Sequence, residues 1–212
     1  MHISDGVLSP MVIAVGFGIT LVLLVITLWW NRNDGNVAEQ IPKLSVMTGA
    51  FFVASLIHIP VPPTSVHLIL NGLMGVVLGL LAYPAIFIGL ILQALLFQHG
   101  GITTIGINSV IMGIPALISY GIFKVGYRKG IPPAIIGAIS GGFAIFLAVI
   151  FLATALITTG EEFIGIAKLV TISHIPIIII EAVITGSVVA FLVKVKPELL
   201  PIDVEVTKDE DN

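Results

Sequence analysis

Cysteine is absent from these 212 residues, which excludes a disulfide framework and any thiolate metal site. Charge is scarce: Asp, Glu, Lys and Arg make up 10% of the chain, against about 25% in a soluble domain. The basic residues nowhere gather into the patch that nucleic acid needs, so no nucleic-acid partner is expected. No Gly-x-x-x-x-Gly-Lys-Ser/Thr loop is present, so ATP is not bound in that way, and the lack of His-Glu-x-x-His weighs against a zinc protease. No internal repeat of the kind found in many secondary transporters is visible. What is abundant is apolar: 57% of residues are hydrophobic and the mean hydropathy is +1.15. One soluble core cannot absorb that surplus. Lipid can, at roughly 20 apolar residues per span.

Apolar runs separated by polar or Pro/Gly breaks predict an all-α membrane bundle of about seven spans. They fall near 11–30, 44–59, 67–82, 84–98, 105–123, 134–158 and 172–193, with Tyr83-Pro84 dividing the third from the fourth. The first run lacks a basic leader and a small-residue cleavage site and is too long for a signal peptide. It reads as an uncleaved span with the N-terminus outside. Arg32, Lys43, Lys124, Arg128, Lys129, Lys194, Lys196 and Lys208 then lie inside, and only Lys168 lies outside, as the positive-inside rule requires. Residues 1–193 form one membrane domain that opens with a segment, 1–10, outside the spans. Residues 194–212 form a charged, frayed cytoplasmic tail. Gly72, Gly75 and Gly79, and the pair Gly137 and Gly141, mark close helix contacts.

The chain begins Met1-His2-Ile3-Ser4-Asp5-Gly6. The Met1 amine, the His2 backbone nitrogen and the nearer His2 ring nitrogen can close on one metal ion. The amide nitrogen binds only after losing its proton, which Ni²⁺ and Cu²⁺ promote, and both favour a square plane of nitrogens. Three donors leave one corner for a distant residue. The predicted topology places His58, His67, His99 and His174 at the same outer face as His2. His67 follows the stiff stretch Pro60-Val61-Pro62-Pro63-Thr64-Ser65-Val66, where fixed φ angles would hold an imidazole steadily; Ser65 is a supporting candidate there. Fourth ligand and plain interfacial histidine stand as alternatives for His67. His58, His99 and His174 read as supporting or surface residues. Asp5 reads as a brace for the N-terminal loop through backbone hydrogen bonds. Glu181, seven residues after His174, is an intramembrane acid; it either orients a histidine or pairs with Ser, Thr or Asn on neighbouring helices. Asn71, Gln93 and Asn108 read as amides tying helices together.

Three stretches closely resemble the CbiM/NikM family, the substrate-binding membrane subunits (S components) of energy-coupling-factor transporters for cobalt and nickel. They are Met1 to Gly6; His58-Ile59-Pro60 through His67 to Asn71-Gly72; and Gln93-Ala94-Leu95-Leu96-Phe97 through Gly100-Gly101 to Asn108. His174-Ile175-Pro176 to Glu181, and Lys196-Pro197-Glu198, resemble the family's last span. The resemblance implies a seven-helix bundle with its N-terminal segment tucked in from outside. It implies a metal held by the Met1 amine, the His2 amide and ring, and the His67 ring. It implies a membrane coupling subunit and two cytoplasmic ATPases as partners, and an extra small membrane subunit supplied as a separate chain. Asp5-Gly6-Val7-Leu8-Ser9 looks more like nickel members than cobalt members, so Ni²⁺ is the expected substrate, with Co²⁺ for cobalamin biosynthesis as the alternative. Two other classes remain for comparison. A membrane hydrolase would use His67, His174 and Glu181 around a metal with an open position; a stand-alone permease would need no ATPase.

Overall fold

A computed structural model describes residues 2–33, 37–61 and 64–201, with backbone alone at 33, 37, 38, 61, 64 and 65. The described residues form eight α-helices: α1 Pro10–Asn33, α2 Val37–Ala54, α3 Asn71–Leu78, α4 Ala82–Phe97, α5 Ile105–Arg128, α6 Pro133–Ile157, α7 Ile164–Ser173 and α8 Ile175–Val195. Two short strands, β1 His58–Val61 and β2 Thr64–His67, pair antiparallel between α2 and α3. Five stretches are long and apolar enough to cross a membrane: Pro10–Arg32, Asn71–Phe97, Ile105–Arg128, Pro133–Ile157 and Glu161–Val195.

Several expected boundaries move. The predicted spans 67–82 and 84–98 fall within the one stretch Asn71–Phe97, and the break is not at Tyr83-Pro84. It is at Gly79, whose φ of 60° ends α3; Pro84 lies in the first turn of α4, where the missing N–H is no loss. Contacts with α5 show a reversal there. Asn71 Nδ2 donates to the Met112 carbonyl, Gly75 packs on the Ala116 backbone and Gly79 lies beside Tyr120, so α3 runs parallel to α5. Tyr83 then packs back against Gly113, so α4 returns. The predicted span 44–59 becomes α2, which starts earlier and stops at Ala54. Glu39, Gln40 and Lys43 disguise its first turns, and residues 58–59 belong to β1 instead. His67 was expected to start a span and instead ends a strand. Span 172–193 becomes α8, and the helix before it, α7, carried no expectation. His174 lies at their junction, just before Pro176.

Small residues set the helix spacing. Gly72 faces the Gly141 backbone, Gly141 faces Thr185, Gly137 faces Val189 and Gly186 faces Ala138, so α6 and α8 run antiparallel in close contact. With no hydrophobic drive between helices in lipid, such backbone approach supplies the packing. The tail does not fray at once: Pro197–Leu199 forms a 3₁₀ turn, Leu200 is buried and Lys43 Nζ donates to the Val77 and Leu199 carbonyls. Residues 202–212 lie outside the described residues.

Candidate functional site

The segment before α1 is fastened into the opposite end of the bundle from Lys43. Ile3 is buried and both sides of its backbone are held. Its N–H donates to Asn108 Oδ1 at 3.0 Å, Asn108 Nδ2 donates to its carbonyl at 3.0 Å, and Thr104 Oγ1 donates to the same carbonyl at 2.7 Å. Asp5 accepts from the Ile102 N–H at 3.2 Å and the Thr103 N–H at 2.9 Å, and from the Thr103 hydroxyl. The Thr103 hydroxyl, helped by these amides, holds the Asp5 carboxyl below the usual carboxylate range. The approach needs glycine at two positions. Gly100 has φ 80°, a backbone conformation open to glycine at little cost, and a Cβ on Gly101 would strike Asp5.

This clamp places the His2 ring beside His67. Their centroids are 5.0 Å apart and stacked, and His2 Nδ1 is 3.2 Å from His67 Nε2. Neighbours set the proton on each ring. His67 Nδ1 lies 2.8 Å from the Leu68 carbonyl, which only accepts, so Nδ1 carries the hydrogen and Nε2 the lone pair. His2 Nε2 lies 2.7 Å from Gln93 Oε1; the Gln93 amide is oriented by Nε2 donating to the Phe51 carbonyl at 3.5 Å. His2 Nε2 therefore donates, and His2 Nδ1 carries the lone pair. Burial lowers the His2 pKa to about 3 and pushes His67 down as well, so both rings are neutral near pH 7. Two imidazole lone pairs thus point at nearly one place. For metal–nitrogen bonds of about 2.0–2.1 Å, neighbouring corners of a square lie about 2.9 Å apart, so a contraction of a few tenths of an ångström would seat a cation between them.

The other candidates lie at different distances from this pair. His58 faces His67 across the hairpin, with ring centroids 5.9 Å apart, while its Nδ1 donates to the Leu56 carbonyl. The His99 ring lies 5.9 Å from His2 and 6.2 Å from His67. His2, His67, His99 and Gly100 share the wall of a cleft of about 200 Å³. His174 is across a second cavity, of about 280 Å³, from His2, and its Nδ1 donates to the Val170 carbonyl. Glu181 is fully buried, and its partners are the backbone N–H groups of Ile69 and Leu70 rather than Ser, Thr or Asn side chains. Met1 and the Ser65 side chain lie outside what is described. Among the described residues no three His, Asp or Glu side chains form a metal cluster. The two side-chain nitrogens in direct approach are His2 Nδ1 and His67 Nε2, with the His99 ring farther off on the same wall.

The sequence matches the family model described as the cobalt uptake substrate-specific transmembrane region, CbiM, over residues 2–199. The chain belongs to the CbiM family. This CbiM-family chain is 34% identical, over 94% of its length and 97% of the other's, to a Haemophilus influenzae protein described as a metal transport protein. It is 32% identical to a fused nickel transport protein, NikMN, of Rhodobacter capsulatus, over 60% of this chain and 38% of that one. A crystal structure of a transition metal transporter superposes with a TM-score of 0.83 at 29% identity, covering 92% of this chain and 93% of that one. The apolar helices and this membership make the protein a multi-pass membrane protein. Gln93 ties α4 to the Phe51 carbonyl of α2 as expected, and its oxygen also fixes the His2 tautomer; Asn108 grips the Ile3 peptide. Their only signal in the sequence is an uncharged amide amid apolar residues.

Proposed function

We propose that this protein is the metal-capturing membrane subunit of an energy-coupling-factor type transporter, with Ni²⁺ as its substrate. The observation that carries the reading is the pair of lone-pair imidazole nitrogens, 3.2 Å apart: His67 on β2, and His2 on a segment held by Asn108, Thr104 and Asp5's partners. His2 Nδ1 and His67 Nε2 form two corners of a square; the deprotonated His2 amide and the Met1 amine complete it. Once filled, that plane keeps no water at its four corners, which weighs against hydrolysis and, with the relatives described as metal transport proteins, favours a transporter subunit over an enzyme. Ni²⁺ suits four nitrogens in a plane, and one relative is a nickel transport protein. Co²⁺ is the alternative, favoured by the description of the family.

The same proposal gives seven crossings, because α2 adds one and the reversal at Gly79 divides Asn71–Phe97 into two limbs. The N-terminal segment faces outside. Lys43, at the far end beside Val77 and Leu199, lies inside with most of the basic residues. A membrane coupling subunit and two cytoplasmic ATPases complete the transporter.

His2→Ala tests the chelate, because it removes the ring nitrogen and with it the six-membered chelate ring. Titration calorimetry should show tight Ni²⁺ binding lost; unchanged affinity refutes the site. A planar diamagnetic Ni²⁺ absorption band supports nickel, whereas tighter Co²⁺ binding overturns that choice. The natural absence of cysteine makes topology testable by single substitutions: Ser4→Cys should react with an impermeant thiol reagent from outside and Lys196→Cys should not. Uptake by vesicles that lack ATPases would favour the stand-alone permease.

A further inference from the structure

Glu181 is the most costly side chain in the described bundle. It is fully buried on α8, and removing a carboxyl group from water is unfavourable unless its oxygens are satisfied. One oxygen, Oε1, accepts two backbone hydrogens, from the Ile69 N–H at 2.5 Å and the Leu70 N–H at 2.9 Å. The other, Oε2, has no hydrogen-bond partner among the described residues. Its neighbours are therefore chosen for what they hold. Leu70 precedes α3 in a left-handed conformation, with φ 57°, and no side chain of its own segment caps that helix. A leucine avoids this conformation unless its surroundings impose it. Glu181 imposes it from another helix.

The position of Ile69 gives this tie a second consequence. The Leu68 carbonyl and the Ile69 N–H belong to one peptide plane. His67 Nδ1 donates to that carbonyl at 2.8 Å, and the N–H of the same plane donates to Glu181. The chain of contacts runs from imidazole to peptide to carboxyl. It resembles the arrangement in which an acid steadies the outer nitrogen of a metal-binding histidine, here with one peptide between them. Hydrogen bonds in such a chain polarise one another. The carboxyl therefore strengthens the Leu68 carbonyl as an acceptor, which fixes the ring and keeps the lone pair on His67 Nε2.

We propose that Glu181 is a positioning residue for His67, acting through the Leu68–Ile69 peptide, so that α8 controls how firmly the metal is held. This rests on His67 being a ligand. Displacement of α8 would withdraw Glu181, free the left-handed turn at Leu70 and slacken His67, which gives the partner subunits a mechanical route to release.

The test is a double-mutant cycle on the full chain, with Ni²⁺ affinity read by calorimetry and bound Cu²⁺ read by its nitrogen hyperfine pattern. Glu181→Leu should lose about 10–100-fold in affinity and shift the copper spectrum toward that of His67→Ala. Glu181→Gln, which keeps an acceptor, should restore most of the affinity. The double variant should bind no more weakly than His67→Ala alone, because one acts through the other. A Glu181→Leu protein with native affinity overturns the inference, as does a loss that adds in full to that of His67→Ala; a lower melting temperature with unchanged affinity and spectrum would make Glu181 structural only. If His67→Ala binds normally, the ligand assignment fails and takes this inference with it. Should Glu181→Leu not fold, the native chain decides: with ¹⁵N-isoleucine label, the Ile69 amide resonance must move when Ni²⁺ binds, and a stationary one refutes the coupling.

Discussion

Asn108→Leu removes the grip on Ile3 while leaving every proposed ligand in place. Two hydrogen bonds to Ile3 vanish, each 3.0 Å long in the structure, together with a longer one from Asn108 Nδ2 to Thr104 Oγ1 at 3.3 Å. The Ile3 carbonyl keeps Thr104 Oγ1 at 2.7 Å, so its loss is a single bond of about 1 kcal/mol. The Ile3 N–H keeps nothing, and a buried orphan donor costs about 1–3 kcal/mol. The inserted segment is therefore destabilised by about 2–4 kcal/mol. The segment has two responses: it stays inserted and strained, or it leaves and its N–H meets water. Metal binding needs the inserted form: a segment that stays inserted shows the cost as a lower melting temperature, and one that leaves shows it as an apparent affinity that falls with the fraction inserted. At about 1.4 kcal/mol per tenfold, de-insertion costs up to about 30- to 1000-fold in affinity. Titration calorimetry with Ni²⁺ in detergent measures it, and N-terminal protease protection reports insertion independently. An Asn108→Leu protein that melts as the native chain does and binds Ni²⁺ with native affinity would refute the claim that this amide organises the site.

Gln93→Leu leaves the His2 Nε2 hydrogen without its acceptor and frees the ring to change tautomer; Ni²⁺ affinity should fall about 10–100-fold, and native affinity would show that another group sets the tautomer. Gly75→Ala drives a Cβ into the Ala116 backbone, an overpacking that should cost about 1–3 kcal/mol; thermal unfolding should register it, while the folded fraction binds metal normally. For Asp5, the Thr103 hydroxyl holds the carboxyl below its ordinary value of 3.8, so its tether is whole above that value and is lost as pH falls through the depressed one. Protease protection of the N-terminal segment should accordingly survive down to about pH 4, and a midpoint near pH 6 would assign the tether to another group. Metal affinity should decline well above that range, because protons compete for the amine and the amide.

The long apolar runs made α1, α5 and α6 legible, because continuous hydrophobicity with flanking Arg, Pro or Gly fixes such a helix almost without tertiary help. The misread boundaries share another cause. Glu39 and Lys43 belong to a helix but look like a loop when only hydropathy is weighed. Pro84 looks like a breaker but lies in a first turn, while the residue that reverses the chain is Gly79, one glycine among 22. Its role shows only when Gly75 and Tyr83 are seen on the same face of α5. The hairpin was hidden in the same way: three prolines predicted a stiff loop, and the pairing of His58 with His67 depends on register that composition does not carry.

The site divides along the same line. The chelating capacity of Met1 and His2 is legible because it is local chemistry, determined by adjacent atoms in the chain. The proposed fourth corner is not local: four histidines are candidates in the sequence, and the fold brings His67 Nε2 within 3.2 Å of His2 Nδ1. The supporting residues share a physical cause. Two neutral imidazoles with facing lone pairs repel each other, so surrounding groups must hold the rings together. Asn108 and Thr104 grip the Ile3 peptide, Asp5 fastens the turn at Ile102 and Thr103, Gln93 orients one ring, and Glu181 braces the peptide behind the other. Each acts on backbone or on the far side of a ring, and none takes a corner of the proposed square. An arrangement of that kind makes the two nitrogens available before the metal arrives. In the proposed site, metal affinity would depend on α4, α5 and α8 together, so a movement of any one of these helices would change how tightly the cation is held.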